Sequence, residues 1–140
     1  MKIAVSAMGN TLQDSIDPRF GRCAQFLIIN TNDHSFKRIQ NPGIAEGHGA
    51  GIVAAQAVIN EGVDAVISGN YGPNAYRTLI AANIQLYQGT GSIIDNVKKL
   101  EANQLPMVKS PGSAHVGLGG RGAGRGGGRG GGRGGGRRNY

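Results

Sequence analysis

Two guanidiniums and one thiol fall within five residues in Arg19-Phe20-Gly21-Arg22-Cys23, around a single glycine. Arginines on a glycine bend can hold an anion by charge-assisted hydrogen bonds, and positive charge beside a cysteine lowers its pKa toward the thiolate that soft metals prefer. A second reading stays open, in which Arg22 pairs with a carboxylate such as Asp17 and Cys23 is a small buried residue at a strand start. His48 precedes Gly49-Ala50-Gly51 at a helix start. There a neutral imidazole could ligate a metal and its cation could meet an anion, or the residue could be a loop histidine in solvent. Ser68-Gly69-Asn70-Tyr71-Gly72-Pro73-Asn74 and Gly89-Thr90-Gly91-Ser92 are two further polar, glycine-bearing stretches. Each offers backbone amides at the start of a helix, and each also suits the tight turns of any α/β domain.

Other chemistries lack their residues. Neither glycine stretch ends in Gly-Lys-Ser/Thr, and neither carries G-x-G-x-x-G, so phosphate-loop and dinucleotide fingerprints are absent. A two-metal nuclease needs several carboxylates, one of them on its first strand, yet Lys2 to Ala7 contains no acid. Asp64 stands at the entrance of its strand, and Asp14, Asp17 and Glu46 are loop acids. No Ser-His-Asp or Cys-His pair follows from spacing. Binding without catalysis is the expectation.

The elements that must position these residues are organised around Asp64 to Ile80. Ala65 to Ile67 reads as a buried strand, and Pro73 to Asn83 as the amphipathic helix that follows the polar turn. Pro73 suits the first helical turn because it has no amide hydrogen to leave unpaired. Upstream, Lys2 to Ala7, Ala24 to Asn30 and Ser35 to Gln40 read as strands, the last two joined as an antiparallel hairpin through Thr31 to His34. Thr11 to Arg22 reads as a long loop, and Ala50 to Asn60 as a helix closed by Gly62. Ile84 to Gln88 is a fifth strand, and Ser92 caps a last helix to about Asn103 with Asp95 in its first turn. The order β-β-β-α-β-α-β-α implies a mixed sheet with strands 1, 4 and 5 parallel and helices on both faces. The glycine turns after parallel strands should then share one edge of the sheet.

Charge is unevenly distributed along the 140 residues. Gly117 to Tyr140 holds 14 of the 26 glycines and 6 of the 15 basic residues, so the net charge of +7 comes mainly from this tail and the body is almost neutral. Arg-Gly-Gly-Gly recurs there from Arg125 to Gly136. Such a composition buries no apolar surface and is expected to be disordered, behind a linker over 106–116. Its arginines could contact phosphates weakly and without specificity, could draw anionic ligands or acidic partners to the body, or could simply solubilise it. The one cysteine allows no internal disulfide, and no apolar segment approaches membrane-spanning length. A cytoplasmic protein without a membrane partner is expected.

The Met1-Lys2-Ile3-Ala4-Val5 strand, the Asp17-Pro18-Arg19-Phe20-Gly21-Arg22-Cys23 loop, the Gly49-Ala50-Gly51-Ile52 helix start and the Asp64 to Pro73 stretch together resemble the dinitrogenase iron-molybdenum cofactor biosynthesis family. The resemblance runs from Met1 to about Leu105 and leaves the tail outside. It implies a ribonuclease H-like three-layer α/β fold over residues 1–105. It also implies a carrier for an anionic metal-sulfur cluster, either an iron-molybdenum cofactor precursor or a molybdenum-copper species, working with cofactor assembly or acceptor proteins. The expected contacts are Arg19, Gly21, Arg22, Cys23, His48, Gly49, Gly51, Gly69, Asn70, Gly72 and Thr90, with Cys23 and His48 as candidate metal ligands. The competing expectation is a nucleic-acid-binding or interaction module acting through the Gly/Arg-rich tail.

Overall fold

The computed structural model describes residues 1–46 and 48–112, so the Gly/Arg-rich tail and the expectations placed on it lie outside the described residues. Strand β1 (Lys2–Ala7) is buried at every residue but the first. Its alternating side chains feed two cores: Ile3, Val5 and Ala7 face one, Ala4 the other. An apolar run covered on both faces belongs at the centre of a sheet, and β1 lies there, between β2 (Gln25–Asn30) and β4 (Ala65–Ser68). The full order is β3-β2-β1-β4-β5, with β3 (Phe36–Gln40) and β5 (Gln85–Gln88) at the edges. β2 is antiparallel to β1 and to β3, whereas β1, β4 and β5 run parallel, with Val5 opposite Ile67 and Ile67 opposite Tyr87.

Helices α1 (Ala50–Asn60) and α2 (Pro73–Ala81) cover one face through Ala54, Ala55, Val58, Ala75 and Leu79. Helix α3 (Ile93–Glu101) covers the other through Ile93, Val97 and Leu100. The result is a three-layer α/β fold with the implied order of elements. Ser92 caps α3, its Oγ accepting from the Asp95 amide at 3.3 Å, and Asp95 near the start with Lys98 and Lys99 near the end complement the helix dipole. Both α2 and α3 end two residues short of the expected boundary. Asn83 (φ 62°) and Asn103 (φ 58°) adopt the left-handed conformation that terminates a helix, and asparagine tolerates it better than most residues.

Two connecting stretches are more ordered than loop composition suggested. In the long connection after β1, Met8 N donates to Ser15 O, Ile16 N to Gly91 O and Asp17 N to Ser6 O, and Ile16, Asp17 and Phe20 are buried. Phe20 packs its ring 5.1 Å from Phe26 and 5.6 Å from Tyr71, an aromatic burial that stabilises the fold by about 1.5–3 kcal/mol. Past α3, the beginning of the expected linker runs along β5. Gln88 N donates to Pro106 O at 3.0 Å, Val108 N to Leu86 O at 2.8 Å, and Gly112 N to Tyr71 O at 2.8 Å.

Candidate functional site at the carboxyl rim

Because β1, β4 and β5 are parallel and β3 shares their direction, the connections over 8–24, 41–49, 69–72 and 89–92 all leave the sheet at one edge. The chain turns from β1 toward β2 but from β4 toward β5, so the β1/β4 boundary is a point of reversal, where ligands of open α/β sheets bind. Pro18 lies across this boundary on Gly69, where a Cβ would come within 2.6 Å of the Pro18 Cα. Beneath it the Ser6 and Ser68 hydroxyls are 2.8 Å apart, and Ser6 Oγ donates to the Asp17 carbonyl at 2.7 Å. Phe20 N donates to Asn70 O at 3.2 Å. Residues 16–20 thus cross the rim, passing from Ile16 in the α3-side core to Phe20 in the α1/α2-side core.

On the α1/α2 flank, small residues stack the loop on the two helix starts. A Cβ on Gly21 would meet the Gly51 Cα at 3.1 Å, and one on Gly51 would meet the Ala75 Cβ at 3.2 Å. Fully buried Asn41 holds the turn, its Nδ2 donating to Cys23 O at 2.8 Å and Gly21 O at 3.2 Å while Oδ1 accepts from Gly43 N at 2.8 Å. Arg22 is exposed and donates to the Glu46 carbonyl at 3.0 Å. Arg19 forms a 3.3 Å ion pair with Asp17. This cationic flank is not wholly free, because one arginine is already neutralised.

On the α3 flank the rim opens into a cavity of about 500 Å³, lined by Ile16, Pro18, Gly69, Gly89, Thr90 and Asn96, with Gln88, Lys99, Gln104, Leu105 and Pro106 completing the wall. Asn96 is 2% exposed, and its Nδ2 donates to Thr90 O and Ser92 O, each at 2.7 Å. Its Oδ1 packs directly on Gly89, which leaves no room for a side chain there. Lys99 is exposed on the next turn of α3 and supplies positive charge to this wall.

Residues 1–103 match the family described as dinitrogenase iron-molybdenum cofactor. The chain belongs to this family. Over 103 residues it is 35% identical to an uncharacterized protein of Methanocaldococcus jannaschii, an alignment covering 71% of this chain and 84% of that protein. Among solved structures it is similar to the apo form of the orange protein from Desulfovibrio gigas, with 33% identity, a TM-score of 0.77 and coverage of 80% of this chain and 96% of that one. It is also similar to a Thermotoga protein provisionally named NifB, solved by NMR, with 28% identity, a TM-score of 0.66 and coverage of 76% and 91%.

Within this member of the dinitrogenase iron-molybdenum cofactor family, the expected contact residues divide between the flanks. Gly69 and Thr90 line the cavity; Arg22 and His48 do not. Gly21, Gly51 and Gly69 are close-packing positions, whereas Gly49 is exposed and takes φ 74° at the start of α1. Gly72 caps α2, and Asn70 is half-buried beside the Pro18 crossing. His48 is exposed.

Of the two readings open for Cys23, the structure agrees with the small buried residue just ahead of β2. Its thiol is fully buried and donates to Phe20 O at 3.3 Å, and burial, aided by the charge of Asp17, pushes it up to about 12 instead of down. The arginines beside it in sequence leave it in the core, where the thiolate is desolvated. No group of three or more His, Cys, Asp or Glu able to hold a metal occurs among the described residues.

Asn96, Lys99 and residues 104–106 were missed by sequence reasoning. Asn96 did leave a signal: it shares the apolar spacing of Ile93, Val97 and Leu100 on α3, so a buried polar contact was implied. Nothing local marked 104–106, whose place follows from pairing with β5.

Proposed function

We propose that this protein is a non-catalytic carrier that holds an anionic metal-sulfur cluster, an iron-molybdenum cofactor precursor or a molybdenum-copper species, as cargo at the carboxyl rim. The observation that carries the proposal is the cavity of about 500 Å³ at the reversal point of the sheet, walled by Gly69, Gly89 and Thr90 and bordered by Lys99. Family membership and the likeness to the orange protein supply the class of cargo. With Cys23 closed off in the core, the cargo is held by hydrogen bonds, shape and charge, so it arrives with its sulfides already in place. Arg22 stands across the Pro18 crossing and adds positive potential, Arg19 being paired with Asp17.

Loading and unloading by cofactor assembly or acceptor proteins follow from a cargo that is carried without being transformed. No helix among the described residues is long and apolar enough to cross a membrane. Anaerobic mixing of the protein with tetrathiomolybdate and copper(I), followed by gel filtration, should give a coloured species that co-elutes with the chain. Failure to retain that cluster and also an iron-sulfur precursor overturns the carrier function.

A further inference from the structure

The two outer strands of the sheet are finished differently. Along β5 the chain covers its own edge, with Gln88 N donating to Pro106 O and Val108 N to Leu86 O. Nothing among the described residues does the same for β3, the other edge, where every residue except Ile39 is exposed. The phase of its ladder is fixed at both ends. Asn30 N donates to Ser35 O at 2.9 Å and Asn41 N to Ala24 O at 3.1 Å, so in this antiparallel register Lys37 and Ile39 turn their backbone groups inward to β2. Phe36, Arg38 and Gln40 turn theirs outward, and such a row is a template for one more strand. At the start of β3, at the far end of the sheet from the rim, lies another cavity of about 490 Å³ whose lining includes Ile28, Phe36, Lys2 and Lys37. Lys37 is paired with Glu61 at 2.8 Å, whereas Lys2 and Arg38 form no ion pair among the described residues. Arg38 is instead oriented by Gln25, its Nε donating to Oε1 at 2.5 Å.

We infer that the β3 edge is a docking site for an extended acidic segment of a partner protein, which adds as a sixth strand and sets carboxylates beside Arg38, Lys37 and Lys2. Backbone bonds to Phe36, Arg38 and Gln40 supply affinity, and the side chains of the added strand supply selection. Neighbours opposite one another across strands share a face of the sheet. Phe36 and Arg38 lie on the α3 side with Ile29 and Leu27, their partners in register, and Lys37 lies on the α1 side with Ile28. An antiparallel segment therefore meets Arg38 with one carboxylate and Lys37 with the next, one on each face. A second copy of the chain is the wrong occupant. A twofold pairing centred on Arg38 sets two guanidiniums opposite each other, and one centred on Lys37 does the same with two ammoniums. A basic segment, Gly117 to Tyr140 included, likewise brings like charge to the strand. Docking at this edge leaves the cargo cavity open, so the inference stands whether or not the carrier function does.

The probe is a blocked synthetic peptide containing Thr-Val-Glu-Glu-Val, whose glutamates fall opposite Arg38 and Lys37 in antiparallel pairing, titrated into the isotope-labelled full chain. The amides of Phe36, Arg38 and Gln40 should shift and exchange more slowly with solvent, while those of Lys37 and Ile39, already bonded to β2, should change far less. Arg38→Glu should weaken binding roughly five- to ten-fold and the milder Arg38→Gln roughly two-fold, the scale of one exposed ion pair reversed or removed. The same peptide with two lysines in place of its glutamates should not bind. Equal binding of the two peptides overturns the inference, because the charges then select nothing. Failure of the acidic peptide to bind, or binding without slowed exchange at Phe36, Arg38 and Gln40, overturns it as well. Slowed exchange at those amides that grows with protein concentration in the absence of peptide overturns it in favour of a second copy.

Discussion

The two flanks of the rim are built from the same kind of sequence, a glycine-bearing turn entering a helix, and they do different things. On the α1/α2 flank the glycines are consumed by packing: Gly21 lies on Gly51 and Gly51 on Ala75, so the space is filled and the cations Arg19 and Arg22 are pushed to the outside. On the α3 flank Gly89 accommodates one side chain, Asn96, and the space beyond remains open as the cavity. Two arginines, one of them paired with Asp17, stand on one flank and the open volume with Lys99 on the other, divided by Pro18 lying on Gly69. A glycine turn before a helix is therefore a site only where no second backbone comes to fill it.

Breaking the divide should have the largest effect. Gly69→Val drives a side chain into the Pro18 backbone, which cannot yield as a flexible side chain would. The variant should lose about 1–3 kcal/mol and about 4–8 °C of melting temperature per kcal/mol, and should retain no cargo. Native stability with full retention would show that the crossing is not what holds the rim together. Next in size is Thr90→Trp, which fills the cavity from an exposed position. Its melting temperature should stay near wild type while cargo affinity falls more than about ten-fold, the outcome expected where the blocked volume is the proposed binding volume. A normal affinity would move the cargo to the other flank. Smaller effects come from single charges. Lys99→Gln and Arg22→Gln should each weaken binding by about two- to five-fold and flatten its salt dependence, with Lys99→Gln the larger because Lys99 borders the cavity.

The division between the flanks also explains what could be read from the chain. Element order and sheet direction were legible because β1 and β4 are short apolar runs flanked by turns, and because Pro73 and Gly62 by their backbones and Ser92 by its hydroxyl mark helix ends. The convergence of the turns followed from topology alone. The occupancy of each turn did not follow, because it depends on contacts between residues far apart in sequence, such as Pro18 with Gly69 and Gly21 with Gly51. Cys23 shows the same limit at one residue. Arg22 adjoins it in sequence, whereas in space it is buried in the core and feels the charge of Asp17, so local positive charge gave the wrong sign for its pKa.

That sign yields the gentlest probe of the comparison, one that leaves cargo binding at neutral pH untouched. An ordinary thiol titrates near 9.0, whereas Cys23 in the folded chain holds its proton to about 12, chiefly through burial. Between these values the unfolded chain releases a proton that the folded chain keeps, so the stability conferred by a neutral buried thiol is complete below about pH 9 and is lost as the pH rises toward 12. Buried Tyr71, also raised by desolvation, adds its own loss only above its ordinary value of 10.0. Denaturant melts of wild type and Cys23→Ala should therefore diverge in slope from about pH 9 upward, with the alanine variant flatter before the tyrosine contributes. At about pH 8 the native thiol should resist an aromatic disulfide reagent that labels it on unfolding. Rapid native labelling would instead place a reactive thiolate on the cationic flank, and a cluster ligated there would make the α1/α2 side, not the cavity, the seat of the cargo.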